Sequence, residues 1–338
     1  MALRIGLMGF GRIGRNVFRI LHSREDVEIA AIVDVADPKA LEYLLRFDTV
    51  HGKFEDPVRV AGDAMYVKGR QIRMLQLKAP GDVDWNALGV EIVIEATGRY
   101  RTRAELQKHL DRGARRVILT VPPRDELDAT IVMGVNDEQL GPTTRLVSNA
   151  SCTANALAPV CKVLHQAFGI ERGFMTTVHA FSSSQQRLAD VPADDLRRSR
   201  AAGENIIPAD TWSVQAVTRM LPELAGRLDG MALCVPVPDG SCVDLVTWMR
   251  REVTAEEINE VMRSAAGTRL RGVLEYTDQP IVSSDVIGNA HSGVFDSLST
   301  QVLGGNLLKT VTWYDNGWGY ATRVVELVGR LGALEAAR

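Results

Sequence analysis

The stretch that decides the fold of the first half of the chain is LRIGLMGFGRIG, residues 3–14. An apolar strand pattern leads into a G-x-G-x-x-G turn, a helical pattern follows, and a second apolar run ends at Asp34. Gly9 permits a tight turn, Gly11 lets the backbone approach a pyrophosphate, and Gly14 lets the helix pack close to the sheet. Asp34 can accept hydrogen bonds from an adenosine ribose. The hexapeptide alone would also suit an ordinary glycine-rich turn, but with this context it predicts dinucleotide binding.

Apolar strand patterns alternate with helical patterns through the rest of the first half. One run ends at Thr97 and Gly98, a second reaches Thr120, and a third covers residues 131–135, with a helical pattern over residues 104–110 between the first two. This alternation predicts a doubly wound parallel sheet. Such a sheet binds its ligand at the carboxyl ends of its strands, so Thr97, Gly98 and Thr120 are candidate cofactor-binding residues.

A second informative stretch, SNASCTAN at residues 148–155, lies near the middle of the chain. Ser and Asn before a run of small apolar residues are typical helix N-caps, which places Cys152 at or just inside a helix N-terminus. The free N–H groups and the helix dipole there favour a thiolate, so we expect a lowered pKa. An isolated cysteine is more often a buried packing residue; this setting makes Cys152 a candidate nucleophile.

A predicted strand over residues 173–181 carries His179. An imidazole there can pair with a thiolate and act as an acid–base catalyst, although a single strand histidine is more often structural. The polar segment that follows, residues 182–210, is too long for an ordinary connection. It contains the basic run LRRSR at residues 196–200, which fits either a functional interface or a solvated loop.

Composition narrows the class of protein. The 338 residues carry a net charge of −3, which gives no indication of a nucleic-acid-binding face. Four cysteines without C-x-x-C spacing predict neither a metal site nor a redox dithiol and favour a reducing compartment. We find no signal-peptide pattern and no apolar run of about 18 residues. These features predict a cytoplasmic protein without a membrane partner.

Six stretches together carry a resemblance that extends from end to end of the chain. It resembles the family of phosphorylating glyceraldehyde-3-phosphate dehydrogenases, whose close relatives include erythrose-4-phosphate dehydrogenases. The matching stretches are GFGRIGR (9–15), FDTVHGKF (47–54), SNASCT (148–153), TTVH (176–179), NIIP (205–208) and WYDN (313–316).

The resemblance implies an α/β Rossmann NAD-binding domain, residues 1–150 and 316–338, and an α+β catalytic domain with a mostly antiparallel sheet, residues 151–315. It implies a homotetramer with the Arg-bearing segment at subunit contacts. It also implies the chemistry: Cys152 attacks an aldehyde, hydride passes to NAD, and inorganic phosphate releases the resulting thioester as 1,3-bisphosphoglycerate.

The resemblance and the strand ends together define two residue sets besides the catalytic Cys152 and His179. The expected cofactor-binding residues are Gly9, Phe10, Gly11, Arg12, Ile13, Gly14, Asp34, Thr97, Gly98, Thr120, Asn316 and Tyr320, with Asn316 orienting the nicotinamide carboxamide. The expected substrate and phosphate positions are Ser151, Thr153, Ser182, Arg198, Arg200, Thr211, Trp212 and Cys234. No metal is expected.

Some phosphate positions depart from the family pattern. Ser182 and Ser184 stand where the family has Thr and Asp, Trp212 where it has Gly, and Cys234 where it has Arg. Loss of a guanidinium removes a charged bidentate partner. An indole obstructs the approach of an anion to the backbone.

These departures keep two alternatives open. The aldehyde could differ, being erythrose 4-phosphate or a non-phosphorylated compound. The chain could instead be a weakly active NAD-binding paralogue, although retention of Cys152 and His179 argues against that reading.

Overall fold

The computed structural model describes residues 2–181 and 195–336. The chain divides into two compact units. Unit 1 comprises Met1–Ile131, Asp137–Ala150 and Ala321–Arg338, and unit 2 comprises Val132–Asn136 and Ser151–Tyr320.

Unit 1 is built around a largely parallel sheet. Its strands are β1 (Leu3–Met8), β2 (Val27–Val33), β3 (Phe47–Asp48), β4 (Gly52–Lys53), β5 (Val58–Ala61), β6 (Ala64–Val67), β7 (Arg70–Leu75), β8 (Ile92–Glu95), β9 (Arg116–Leu119), β10 (Ala129–Thr130) and β11 (Leu146–Ser148). Over the described residues, the main sheet has the order β10-β11-β9-β8-β1-β2-β7-β6-β5, and β3 pairs with β4 separately. All pairs from β10 to β7 are parallel, and β5, β6 and β7 are antiparallel. The predicted parallel sheet is confirmed, with an antiparallel edge added.

The helices of unit 1 begin where the sequence supplies caps. They are α1 (Arg12–Leu21), α2 (Pro38–Arg46) and α3 (Arg103–Asp111). Asp37 caps α2 through the N–H groups of Lys39 and Ala40, and Pro38 needs no partner at the first position. Thr102 and Glu105 form a capping box at α3.

The predicted strand over residues 131–135 is wrong. β10 stops at Thr130, and the next residues form a turn in which Asn136 Oδ1 accepts the N–H of Val132 at 2.9 Å. Gly134, with φ +76°, supplies the left-handed conformation that this turn needs.

Unit 2 has a second sheet. Its elements are α4 (Cys152–Phe168), β12 (Ile170–Ala180), β13 (Ile207–Ala209), α5 (Ser213–Met220), β14 (Leu228–Val235), β15 (Ser241–Met249), α6 (Ala255–Gly267), β16 (Leu274–Thr277), β17 (Gly293–Leu303) and β18 (Leu307–Tyr314). Within the described part of the chain its order is β13-β14-β12-β15-β18-β17-β16. Four of its pairings are antiparallel, whereas β12–β14 and β16–β17 are parallel. This confirms the predicted mostly antiparallel sheet.

Helix α4 packs on one face of this sheet. Buried and half-buried residues alternate along β15 and β18, as expected for strands with one covered face. The buried face includes Thr177 and Tyr314, which reach Thr153 of α4 through hydrogen bonds. The N-terminus of α4 therefore lies beside the strand that carries His179.

The last helix, α7 (Trp318–Ala336), begins in unit 2 and continues in unit 1. None of the helices in residues 2–181 and 195–336 combines the length and the apolar character that crossing a membrane requires.

Candidate active site

Unit 1 has a groove of about 190 Å³ at the carboxyl end of its parallel strands. Four of the predicted cofactor-binding residues line it: Gly9, Gly11, Asp34 and Thr97. The other lining residues are Met8, Val33, Val35, Leu77, Lys78, Ala96, Arg99 and Tyr100. The groove therefore lies where a doubly wound sheet binds its ligand.

The glycines have the steric roles that the sequence predicts. A Cβ on Gly9, which has φ +93°, would lie 2.6 Å from the backbone nitrogen of Thr97. A Cβ on Gly14 would lie 2.2 Å from the carbonyl oxygen of Gly9. A Cβ on Gly11 would meet nothing within 4 Å, so its backbone is open to a ligand. These residues fit the pyrophosphate of a dinucleotide.

Asp34 is held at the groove by backbone donors. Its Oδ2 accepts the N–H of Phe10 at 2.7 Å, and its Oδ1 accepts the N–H of Ala36 at 3.0 Å. The ring of Phe10 is buried and packs edge-on against Phe18, with centroids 5.6 Å apart. Phe10 thus meets the groove residues through its backbone.

The remaining predicted cofactor-binding residues of unit 1 do not line the groove. Arg12 and Ile13 open α1 and are half-buried. Gly98 has φ +69°. Thr120 is buried and donates its hydroxyl to the carbonyl oxygen of Glu95 at 3.1 Å.

Sequence reasoning missed part of the groove wall. Tyr100 donates its hydroxyl to the carbonyl oxygen of Lys78 at 2.6 Å, which joins two chain segments that line the groove. The polar residues immediately after Thr97 and Gly98 were the available signal, because residues that follow a strand end lie at the same sheet edge.

In unit 2, Cys152 is the first residue of α4 and Ser151 is its N-cap, as predicted. The Ser151 hydroxyl accepts the N–H of Ala154 at 3.0 Å. Cys152 Sγ lies 3.4 Å from His179 Nε2. His179 Nδ1 lies 2.6 Å from the carbonyl oxygen of Ala180. Because a carbonyl can only accept, Nδ1 carries the proton and Nε2 faces the thiol as an acceptor.

The predicted lowering of the Cys152 pKa is wrong for this structure. The pKa of the thiol is raised to about 11, mainly by burial, and the nearby carboxylate of Asp239 acts in the same direction. Hydrogen bonds from Thr153 act in the opposite direction but are outweighed. Cys152 is half-buried at the start of α4, and with its pKa raised the thiol needs a base to lose its proton at neutral pH; His179 is within reach.

Tyr314 packs beside this pair, although no role was predicted for it. Its hydroxyl lies 2.9 Å from Thr153 Oγ1 and 2.8 Å from Thr177 Oγ1. The ring centroids of Tyr314 and His179 are 6.0 Å apart. One buried hydroxyl therefore connects the first turn of α4 with the strand that carries His179.

Asn316 lies beside the start of β15. Its Oδ1 accepts the hydroxyl of Ser241 at 2.8 Å, and its N–H donates to Asp239 Oδ1 at 3.1 Å. Ser241 also accepts the N–H of Ala180, next to His179, at 3.0 Å. Tyr320, the other predicted cofactor residue in this unit, is buried.

The residues around the start of α5 form a second cluster at the nucleophile. Ser151 Oγ lies 2.9 Å from Ser213 Oγ. Thr211 Oγ1 accepts the N–H of Ser213 at 3.2 Å. Trp212, the N-cap of α5, leaves 71% of its surface exposed and makes no side-chain cap. The exposed Trp212 is therefore next in sequence to Ser213, whose hydroxyl contacts Ser151, the residue before Cys152.

The other predicted phosphate positions are placed unequally. Thr153 is buried, with its hydroxyl directed to Tyr314. Cys234 pairs in register with His179 across β12 and β14, which puts both side chains on the same face. Arg198 Nε lies 3.2 Å from Asp195 Oδ2, and Arg200 is exposed. Ser182 and Ser184 lie outside the described residues.

Comparisons with known proteins agree with this geometry. The family model described as "Glyceraldehyde 3-phosphate dehydrogenase, NAD binding domain" matches residues 3–103, and that described as "Glyceraldehyde 3-phosphate dehydrogenase, C-terminal domain" matches residues 151–316. The chain is 47% identical over 334 residues to a glyceraldehyde-3-phosphate dehydrogenase of Geobacillus stearothermophilus, covering 98% of this chain and 99% of that protein.

Two further relatives give the same result. Identity is 48% over 328 residues to glyceraldehyde-3-phosphate dehydrogenase 1 of Bacillus subtilis, with 97% of each chain covered. Identity is also 48% over 336 residues to the glyceraldehyde-3-phosphate dehydrogenase of Borreliella burgdorferi, covering 97% of this chain and 99% of that protein.

A Rossmann-type groove in one unit and a cysteine–histidine pair at a helix N-terminus in the other define an NAD-dependent dehydrogenase. The chain belongs to the glyceraldehyde-3-phosphate dehydrogenase family. Its cofactor is NAD.

Proposed function

We propose that Cys152 and His179 carry the NAD-dependent oxidative phosphorylation of glyceraldehyde 3-phosphate to 1,3-bisphosphoglycerate. The observation that carries this assignment is the 3.4 Å separation of Cys152 Sγ from His179 Nε2, with Nδ1 already engaged by a carbonyl. A base fixed in that tautomer can take the proton of the half-buried thiol directly as Sγ attacks, so a free thiolate need not form first.

The steps follow from that proton. His179 accepts it as Sγ attacks the aldehyde carbon and returns it to the oxygen, giving a thiohemiacetal on Cys152. NAD supplies the hydride acceptor. As hydride leaves, His179 accepts the hydroxyl proton and a thioester remains on Cys152. Inorganic phosphate then attacks the acyl carbon, Sγ departs, and the proton on His179 returns to it.

The groove residues support the proposed hold on NAD. Gly9, Gly11 and Gly14 leave room for the pyrophosphate, and Asp34 presents its carboxylate to the adenosine ribose. Asn316, with its amide oxygen fixed by Ser241, is proposed to orient the nicotinamide carboxamide, as the resemblance implies. Phe10, Arg12, Ile13, Gly98, Thr120 and Tyr320 remain predicted cofactor-site residues.

We expect the enzyme to prefer NAD over NADP by at least about tenfold in kcat/KM, because Asp34 repels a 2′-phosphate. The measurement is kcat/KM with each cofactor. Asp34→Asn should narrow the preference, whereas Asp63→Asn, which alters an exposed carboxylate elsewhere in unit 1, should not. Equal use of the two cofactors by the wild type would remove this role from Asp34.

The acyl acceptor and substrate positions are proposed with an alternative aldehyde kept open. Ser151, Thr153, Thr211, Arg198 and Arg200 are proposed ligands for substrate or phosphate oxygens, and Ser182 is a further predicted one. The neutral Cys234 beside His179 and the exposed Trp212 favour testing erythrose 4-phosphate and a non-phosphorylated aldehyde beside glyceraldehyde 3-phosphate. NADH absorbance over this panel ranks them, and no turnover of any would support the weakly active NAD-binding reading.

We also propose the domain bounds and location that the sequence predicts. Residues 1–150 with 316–338 would form the NAD-binding domain and residues 151–315 the catalytic domain. A cytoplasmic location is consistent with four cysteines that are all free thiols.

A homotetramer is the proposed assembly, and the sheet of unit 2 supports it. On the face away from α4, Phe174 leaves 66% and Met231 41% of its surface exposed. Trp248 lies on that face under Arg172, whose guanidinium carbon is 5.0 Å from the ring centroid. An exposed apolar sheet face of this kind is suited to a second copy of the same chain.

Sedimentation equilibrium should therefore give a four-chain species, and Phe174→Asp with Met231→Asp should reduce it to smaller species. Glu171→Gln, an exposed change on the same strand, should leave the mass unchanged. A wild-type protein of 37.0 kDa in solution would contradict the proposal.

A further inference from the structure

A row of buried polar side chains lies behind the groove of unit 1. Trp85, Glu95 and His109 each have 0% of their surface exposed. Trp85 Nε1 lies 2.9 Å from His109 Nδ1, and His109 Nε2 lies 3.3 Å from Glu95 Oε2. The other carboxylate oxygen, Glu95 Oε1, accepts both the N–H (2.9 Å) and the hydroxyl (2.5 Å) of Thr97.

The direction of each hydrogen bond in this row is fixed by chemistry. An indole N–H can only donate, so His109 Nδ1 must accept and its proton must be on Nε2. Nε2–H then donates to Glu95. The Glu95 side chain therefore accepts three hydrogen bonds, one from His109 and two from Thr97, so both of its oxygens have partners although the residue is fully buried.

Thr97 connects this row to the cofactor site. It lines the groove together with Gly9 and Asp34. A Cβ on Gly9 would lie only 2.6 Å from the backbone nitrogen of Thr97, so Thr97 packs directly on the glycine turn. The carbonyl oxygen of Glu95 accepts the N–H and the hydroxyl of Thr120 at 3.0 and 3.1 Å. Glu95 thus holds Thr97 of the groove wall through its side chain and holds Thr120, at the end of β9, through its carbonyl oxygen.

We propose that Glu95 is a positioning residue for the NAD site, held in place by His109 and Trp85 and acting through Thr97. This inference rests on NAD binding in the groove of unit 1. In this proposal the cofactor contacts the groove wall at Thr97, and Glu95 sets the position of Thr97 without contacting the cofactor.

Glu95→Gln tests the proposal because an amide cannot satisfy these partners. If its oxygen accepts from Thr97, its NH₂ group faces the Nε2–H of His109, and Trp85 prevents the imidazole from moving its proton to Nδ1. The conflict is relieved most easily at Thr97, which is only half-buried. We expect the Kd and the KM for NAD to rise about tenfold, with a much smaller fall in kcat.

Further variants distinguish a positioning role from a general loss of structure. Glu91→Gln changes a carboxylate that contacts Arg4 and Arg115 instead, and NAD binding should be unchanged. Thr97→Val removes the hydroxyl that donates to Glu95 and accepts the N–H of Arg99, while Thr97→Ser keeps both contacts. Both Glu95→Gln and Thr97→Val disrupt the hydrogen bond between Glu95 and the Thr97 hydroxyl. The double variant should therefore have a Kd for NAD no higher than that of the single variant with the higher Kd.

NAD titration of these proteins distinguishes the outcomes. A wild type that does not bind NAD would remove the proposed cofactor site itself. A wild type that binds, with Glu95→Gln equal to it or with fully additive effects in the double variant, would overturn the positioning role. If Glu95→Gln does not fold, the serine and valine variants of Thr97 decide, since equal Kd values for the two would overturn the proposal.

Discussion

Replacing Cys152 with serine is expected to lower kcat by about 10⁴-fold or more, because the hydroxyl is a far weaker nucleophile and no other group can form the thioester. The substitution keeps the shape of the first residue of α4 and leaves the groove of unit 1 intact. NAD affinity should therefore stay within about twofold of the wild type. Initial rates of NADH formation and NAD titration make the two measurements.

A matched control uses another cysteine. Cys161→Ser lies on the same helix and is fully buried, so it can cost stability, but it should retain most of the activity of the folded protein. Activity that survives Cys152→Ser and falls with Cys161→Ser would reverse the assignment.

The state of the thiol adds a pH expectation to this prediction. Burial raises the Cys152 pKa to about 11, so below that pH alkylation depends on proton transfer to His179. Iodoacetamide should modify Cys152 before Cys161, whose pKa burial raises to about 12. In His179→Asn, alkylation of Cys152 should be slow at neutral pH, and its rate should recover as the pH rises toward 11. Peptide mapping that finds another cysteine labelled first would contradict this.

The second large effect concerns phosphate. The resemblance implies an arginine at the position of Cys234 and a glycine at that of Trp212. One lost charge-assisted contact costs roughly tenfold to a hundredfold in binding. We therefore expect a weak response to inorganic phosphate and a high KM for glyceraldehyde 3-phosphate. The double variant Cys234→Arg, Trp212→Gly should lower the KM for inorganic phosphate and the KM for glyceraldehyde 3-phosphate, each by roughly tenfold to a hundredfold.

Arginines of the polar segment could supply the missing charge, although Arg198 is already paired with Asp195. The control is Gln215→Arg, which adds the same charge at an exposed position of α5 and should leave the phosphate titration unchanged. A wild type that already saturates at low phosphate, with no gain from the combined change, would show that neither position limits phosphate use.

Local patterns predicted much of the fold. The residues of GFGRIG formed the turn and opened α1 because their requirements are steric and act within a few positions. SNASC placed Cys152 at a helix start because capping is equally local.

β17 was missed because its sequence, GVFDSLSTQVL, does not read as a regular strand. Asp296 accepts the N–H groups of Leu298 and Ser299 at 3.0 and 3.3 Å. The pairing with β18 shifts register between Asp296 and Gln301. A side chain that closes a bulge interrupts the period-2 pattern on which strand prediction depends.

The candidate site was predictable only in part. The chemical types of Cys152 and His179 were evident, and their pairing came from the family resemblance. Tyr314 contacts residues far from it in the chain, and the Glu95–His109 contact forms only after β8 and α3 pack together. The Cys152 pKa depended on burial. Such long-range features lie outside what local periodicity can indicate.

The most direct test of the covalent mechanism is mass spectrometry of the acyl-enzyme. The protein is mixed with NAD and glyceraldehyde 3-phosphate without inorganic phosphate, quenched in acid and digested. The proposed mechanism predicts a 3-phosphoglyceroyl thioester on the peptide that contains Cys152, lost when phosphate is added before the quench. NADH formed in amounts equal to the enzyme with no such adduct, or with the adduct on another residue, would contradict it.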